Sequence, residues 1–335
     1  TEQYQGFQRE LIATQEKIKG LKEVSHPVAN ELEAFGEKAK TSGQKIAGAG
    51  EKMLPATVAI GAVGGAAVKT ASDFETSMSQ TAGALNVPMD KMGGLRDLAM
   101  DMGAKTQFSA TEAGNAMTEL AKGGLTEADI KGGALKATMD LAASSSLELG
   151  DAANTVVQAM GGFGLSAKDS AQAVNALAGA AAASSTDVGP LADALSQCAA
   201  QAHTAGWSIQ DTTAVLGAFA DAGIAGSDAG TSLKTMLQRL GAPTNAAAKE
   251  MKSLGINVWD SNGHMKDAGG IADELKTHLG GLSDQQKQQA LTTIFGSDAT
   301  RAATVLMGEG SAGLTKYTKA TNDQTAASRL ANSQM

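Results

Sequence analysis

Aromatic side chains are scarce in this sequence: seven Phe, two Trp and two Tyr, or 3% of 335 residues. An interior without many large rings must be built from Ala, Leu, Val and Met. Small side chains bury little area each, at roughly 25 cal/mol per Å². The expectation is modest stability per residue and a fold that opens easily. Cysteine is limited to Cys198, which excludes an internal disulfide framework and fits assembly in a reducing cytoplasm. Net positive charge is missing too. The chain carries −8, and residues 1–52 contribute nothing to it, with eight basic and eight acidic side chains. The remainder holds 19 basic and 27 acidic residues. With no basic stripe and no interleaved aromatics, no specific nucleic-acid binding is expected. The first residues, with Glu2, Arg9 and Glu10, lack the shape of a signal peptide.

Recognisable catalytic motifs are also absent. There is no GxxxxGK[ST] phosphate loop, no HExxH zinc pair and no GxSxG elbow. Cys198 and His203 are five residues apart and could share a metal, but no further ligands lie nearby. Cys198 lies on an Ala/Leu stripe and reads as a small buried hydrophobe. Asp260-Ser-Asn-Gly263 resembles part of a calcium loop, yet the spacing and the downstream Glu are missing, so it reads as a turn. The glycine pairs 123–124, 161–162 and 280–281 read as helix stops. The expectation is a non-enzyme with no catalytic, cofactor-binding or metal site, and no cofactor.

What the sequence does hold is a recurring helix punctuation between Thr106 and about Leu240. Ser109 precedes Glu112 by three residues, Thr126 precedes Asp129, Ser166 precedes Asp169 and Ser208 precedes Asp211. Each pair can form a capping box, in which a hydroxyl takes an orphan N–H and an acid favours the positive end of the helix. Thr126 to Ser166 is 40 residues and Ser166 to Ser208 is 42, with Ser109, Gly150 and Gly189 opening the intervening helices. Ile130, Ala134, Ala137 and Leu141 make one apolar stripe, and Leu191, Leu195, Cys198 and Ala202 another. The unit is helix, Gly turn, helix, repeating about every 40 residues.

Before this stretch, positions 4 to 53 step by three and four residues through Tyr4, Phe7, Leu11, Ile18 and onward to Met53. Twelve of these 15 positions are apolar. Sustained over about seven heptads, this predicts a coiled-coil arm over 1–53, kinked near Pro27, with two amphipathic helices packed on the body as the other reading. The arm would self-associate as a homo-oligomer, a trimer among the states open to it.

Residues 54–71 form a Gly/Ala-rich apolar helix. The uncharged run from Met53 to Val68 spans about 24 Å as a helix against a bilayer core of about 30 Å. It reads as a small-faced helix that another can approach closely, with membrane contact as a lesser role. Helix is expected over 72–103 with a break at Asn86-Val-Pro88. The pattern changes at Gly255: residues 256–267 read as a short β-hairpin around Asp260-Ser-Asn-Gly263. Ser283 and Gln286 make another box, and Ile294-Phe-Gly296 ends a helix. Residues 311–335 read as a polar tail continuing into a longer chain. The fold class expected is all-α.

The order of several short motifs adds a resemblance. Asp73-Phe-Glu75, Thr106-Gln-Phe-Ser-Ala110, Phe163-Gly-Leu165 and Ala222-Gly-Ile-Ala-Gly-Ser-Asp-Ala-Gly-Thr-Ser-Leu233 resemble the core of phage tail tape measure proteins. Leu254 to Gly263 and Ile294-Phe-Gly-Ser297 are similar to that family's pattern as well. The resemblance covers about residues 70–310 and makes 72–310 a helical tape-measure core domain. It implies a structural role as an axial scaffold that sets tail length while tube subunits polymerise around it, followed by release during DNA ejection. The implied partners are tail tube subunits, tail tip or baseplate proteins and tail assembly chaperones, with host membrane contact during ejection. The implied locations are the tail lumen of the virion and the host cytoplasm during assembly. Family members are usually much longer, so the chain resembles a piece of one. Two other classes fit the residues alone: a helical-repeat adaptor, and a membrane-active, pore-forming protein using Met53–Val68.

Overall fold

The computed structural model describes residues 56–334, with side chains from Lys69 to Asn332. The heptad arm therefore lies outside the described residues, as do the side chains of the small-faced run. From Ser77 onward the chain folds into one compact unit, and among the described residues its elements are helical.

In chain order the helices are α1 (Ala56–Leu85), α2 (Gly93–Lys105), α3 (Ala110–Lys122), α4 (Glu127–Asp129), α5 (Leu135–Ala143), α6 (Leu149–Phe163) and α7 (Ser170–Ala183). They continue with α8 (Val188–Thr204), α9 (Ile209–Asp221), α10 (Gly226–Gly241), α11 (Asn245–Leu254), α12 (Ala268–Leu279), α13 (Asp284–Thr321) and α14 (Ala326–Gln334). Helix α1 ends where expected: Asn86 takes a φ of 54°, and a single 3₁₀ turn follows Pro88.

The caps foreseen in the sequence form. The Glu112 carboxylate accepts from Ser109 N at 2.7 Å while Ser109 Oγ accepts from Glu112 N at 3.2 Å. Thr126 with Asp129, Ser208 with Asp211 and Ser283 with Gln286 make the same reciprocal pair. At Ser166 the Asp169 carboxylate accepts from both the backbone N–H and the hydroxyl. Gly150 and Gly189 do not open their helices. Each is the second residue, behind Glu148 and Asp187 at the N-cap, and Asp187 Oδ1 accepts from Val188 N at 2.7 Å.

Alternate helices pack on one another. Helices α3, α6, α8 and α10 form one row, each against the next, and α5, α7 and α9 form a second. The first residues of the first row, 110, 149, 188 and 226, are separated by 39, 39 and 38 positions. Both apolar stripes read from the sequence are buried, with Ile130, Ala134, Leu141, Cys198 and Ala202 at 0% exposure.

Row contacts are made close by small residues. A Cβ added at Gly123 would stand 2.4 Å from Val157 of α6, one at Gly162 2.5 Å from the Ala199 Cβ of α8, and one at Gly230 2.1 Å from the Ala194 carbonyl oxygen. This corrects the reading of the pair 161–162 as a helix stop. Both glycines lie inside α6, which ends at the left-handed Gly164, and Gly162 is there to let α8 approach. Among the described residues most of the scarce aromatics go to the core: Phe74, Phe163, Trp207, Phe219, Phe295 and Tyr317 are all buried.

The β-hairpin expected over 256–267 is reduced to one antiparallel bridge, Trp259 with Met265. Its pattern does alternate, with Ile256 and Val258 buried and Asn257 and Trp259 exposed. The ladder stays short because its backbone groups bond elsewhere. The Asn257 N–H donates to Glu274, the Trp259 N–H to the Asn257 side chain, and the Lys266 carbonyl accepts from the Trp207 indole.

The C-terminal third closes the stack. Helix α13 has non-helical glycines at 296 and 310, so it is three rods joined end to end. It packs on α12, α9, α10, α7 and α11, and α14 packs on α5 and α7. The segment read as a polar tail is thus helical over 311–321 and 326–334, with Leu314, Tyr317, Ala326, Ala327 and Ala331 buried. Its apolar residues are small or widely spaced, which is why composition alone reads it as polar.

Candidate functional surface

The turn over 256–267 carries the largest exposed apolar side chain of the described residues. Trp259 is 40% exposed, and Met89 at 39% is the other large one. Trp259, His264 and Met265 line a groove of about 750 Å³ against the ends of α8 and α10, which contribute Gln201, Leu237 and Gln238 among others. No Asp, Glu, Lys or Arg lines it. Its lining is mostly apolar and amide, and His264 is the one ionisable side chain among the lining residues.

Below the turn, Trp207 anchors it. The indole is 2% exposed, and its Nε1 donates to the Lys266 carbonyl at 3.0 Å. Glu274 of α12 ties the same turn from the other side, pairing with Lys266 and lying 3.4 Å from His278 Nε2. Burial disfavours the charged form of Glu274, but Lys266 and the Asn257 N–H outweigh it and hold the carboxyl below its ordinary range. Asp260 Oδ1 accepts from Asn262 N and His264 N, both at 2.8 Å, so the calcium-like run is a side-chain-closed turn.

A second polar cluster joins α9 to α13. Asp221 Oδ2 accepts from Lys316 Nζ at 2.8 Å and from Tyr317 Oη at 2.7 Å, and Asp221 Oδ1 from Ser185 N at 2.7 Å. Lys316 and Tyr317 together hold the carboxyl well below the usual range. Its folded-state pKa is depressed, so its contribution is fully present above the unfolded value near 4 and is lost as pH falls below that. Asp221→Asn is expected to cost about 1–2 kcal/mol at neutral pH. It should also flatten the fall in melting temperature between pH 5 and pH 2.5 relative to the parent chain. Parallel acid melting curves for the two proteins would contradict the assignment.

Cys198 and His203 do not come together as a metal pair. Cys198 is fully buried and burial pushes its thiol up to about 12, whereas exposed His203 stands edge-on to Phe163, with ring centroids 6.4 Å apart. Among the described residues no group of three or more His, Cys, Asp or Glu is placed to hold a metal ion. The thiol is expected to resist a disulfide reagent in the folded chain and to react fully in denaturant. Rapid labelling under native conditions would show that α8 opens readily.

Sequence reading found none of the Asp221, Glu274 or Trp207 contacts. Tyr317 is 96 positions from Asp221 and Lys266 is 59 from Trp207, and no local signal marks either pair.

Comparison with known proteins follows the same stretch of chain. Residues 96–296 match the family profile of the phage-related minor tail protein. The chain is similar to the tape measure protein of Pneumococcus phage Dp-1, with 31% identity over 305 residues, covering 90% of this chain and 26% of that protein. It is also similar to the probable tape measure protein of Escherichia phage P2, with 40% identity over 140 residues, covering 40% of this chain and 17% of that one. No solved structure matches it. The chain spans about a quarter or less of the length of these relatives. With the family profile lying across both helix rows and the Trp259 turn, this chain belongs to the phage tail tape measure family of phage-related minor tail proteins.

Proposed function

We propose that this chain is part of a structural protein of the phage tail that sets tail length as an axial scaffold for tube polymerisation and leaves during DNA ejection. The observation that carries this reading is the similarity over 305 residues to a tape measure protein. Residues 1–53 supply the extended arm and 72–310 the core domain. Self-association through the arm, as a trimer or another small homo-oligomer, holds a few copies on the tail axis. Its partners are tail tube subunits, tail tip or baseplate proteins and tail assembly chaperones. It resides in the virion tail, and in the host cytoplasm during assembly. The acidic remainder of the chain supports passage ahead of DNA without retaining it. Contact of residues 53–68 with the host membrane during ejection is a lesser part of the proposal. Among the described residues no helix is long and apolar enough to cross a membrane.

The test is tail length. Removing 14 residues from the arm of the full-length protein keeps the heptad register. It should shorten every tail by about 21 Å, at 1.5 Å per helical residue. Averaged electron micrographs that show unchanged tails would overturn the ruler.

A further inference from the structure

The exposed crest of the 256–267 turn holds a reactive pair of neighbours. Of the ten asparagines in the sequence, Asn262 alone is followed by glycine. Residues 259–264 are all exposed, and Asn262 and Gly263 lie outside any helix or bridge. The Asn262 side-chain amide bonds to no other described residue. Asn115, Asn154 and Asn175, by contrast, lie inside α3, α6 and α7. There the N–H of the following residue is tied into the helix.

One clasp holds the pair. Asp260 Oδ1 accepts from Asn262 N and His264 N, and the Asp260 carbonyl accepts from Gly263 N at 3.2 Å. The last bond matters most, because the Gly263 nitrogen is the atom within reach of the Asn262 side-chain carbonyl carbon. That bond is at the long end for N–H···O. Glycine carries no Cβ to shield the nitrogen, and at its φ of 81° a Cβ built there would meet nothing within 4 Å. Opening residues 260–264 uncovers no buried side chain, so it costs far less than opening the body.

We propose that Asn262 is a self-modification site, converted through a cyclic imide to aspartate and isoaspartate at a rate set by opening of the Asp260 clasp. The Gly263 nitrogen gives its proton to solvent and bonds to Asn262 Cγ. The Cγ–Nδ2 bond breaks and ammonia leaves, closing the imide ring. Water then adds to a ring carbonyl. Breaking the bond from nitrogen to Cγ gives aspartate, and breaking the bond from nitrogen to the backbone carbonyl carbon gives isoaspartate. Amide and water become carboxylate and ammonium, with nothing oxidised or reduced. Isoaspartate lengthens the main chain by one carbon between the bridged residues Trp259 and Met265. Either product puts a negative charge beside a groove that Gly263 and His264 help to line and that holds no Asp, Glu, Lys or Arg. The turn is thus reshaped with age while the helices beneath it are unchanged.

Peptide mass spectrometry of the folded chain, aged in mildly alkaline buffer, tests it. The peptide that spans Asn262 should gain the mass of an amide exchanged for a carboxyl before any other Asn peptide does, and should split chromatographically into aspartate and isoaspartate forms. Circular dichroism should show the helices intact throughout. Asn262→Gln should lose the gain, and Gly263→Ala should slow it severalfold by crowding the attacking nitrogen. Asp260→Ala should speed it about tenfold, the factor expected when two ordinary hydrogen bonds are lost. No gain at Asn262 in the folded chain, under conditions that convert the same peptide once the chain is unfolded, overturns the site. An Asp260→Ala chain that ages no faster than the parent overturns the clasp as its gate.

Discussion

Replacing Gly230 by alanine is expected to destabilise the chain by about 3 kcal/mol, the upper end of what a single overpacked methyl does. In an ordinary helix the same change would stabilise by about 0.5–1 kcal/mol, because glycine loses more backbone freedom on folding than alanine. The sign reverses here because the new Cβ would stand 2.1 Å from the Ala194 carbonyl oxygen. Neither backbone can rotate out of the way, so α8 and α10 must separate and give up close packing along the row. Gly179 in α7 faces the Ala320 carbonyl at the same distance and should behave alike. Gly161→Ala is the internal control: it lies in α6 one residue before Gly162, and a Cβ there meets nothing within 4 Å. Chemical denaturation of the three variants should give two large losses and one small gain. Equal effects would show that the rows are not in backbone contact.

Removing the anchor under the Trp259 turn should be as damaging. Trp207→Ala is expected to cost about 4 kcal/mol, the range for deleting a buried large ring. Trp207→Phe keeps most of the buried area and loses the hydrogen bond to the Lys266 carbonyl, so about 1–2 kcal/mol is expected. The two variants also separate packing from tethering. In Trp207→Phe the 256–267 turn should exchange its amides faster while α8 and α9 keep their protection. Uniform loss of protection in both variants would show that the indole serves the core alone.

How much of this was legible before the structure follows from where each signal resides. Caps are local, three residues apart, so Ser109–Glu112, Thr126–Asp129, Ser208–Asp211 and Ser283–Gln286 could be read directly. Helical stripes repeat within one element, so the burial of Ile130, Leu141 and Cys198 followed. Glycine was ambiguous because one residue does two jobs. Gly164 closes a helix through its left-handed conformation, whereas Gly162, two residues earlier, serves a neighbouring helix that the sequence does not name. The single bridge at Trp259 has a related reason: alternation predicts a strand, but side chains from α12 and from the turn before α9 take the groups a ladder would use. The return of residues 311–334 onto α5 and α7 had no local signature, since its pins are single residues such as Asn175 and Asp221 set far away. The sequence marks no site residues, and the Trp259 groove, lined by residues from 201 to 265, assembles only in three dimensions.

The central claim, an axial tail scaffold, is tested most directly by counting. Quantitative mass spectrometry of purified tails, calibrated with labelled peptides from this chain and from the tube subunit, gives copies per tail. The scaffold requires a handful of copies, constant from tail to tail and independent of tube length. Hundreds of copies rising in proportion to the tube subunit would make this a wall component and contradict the account.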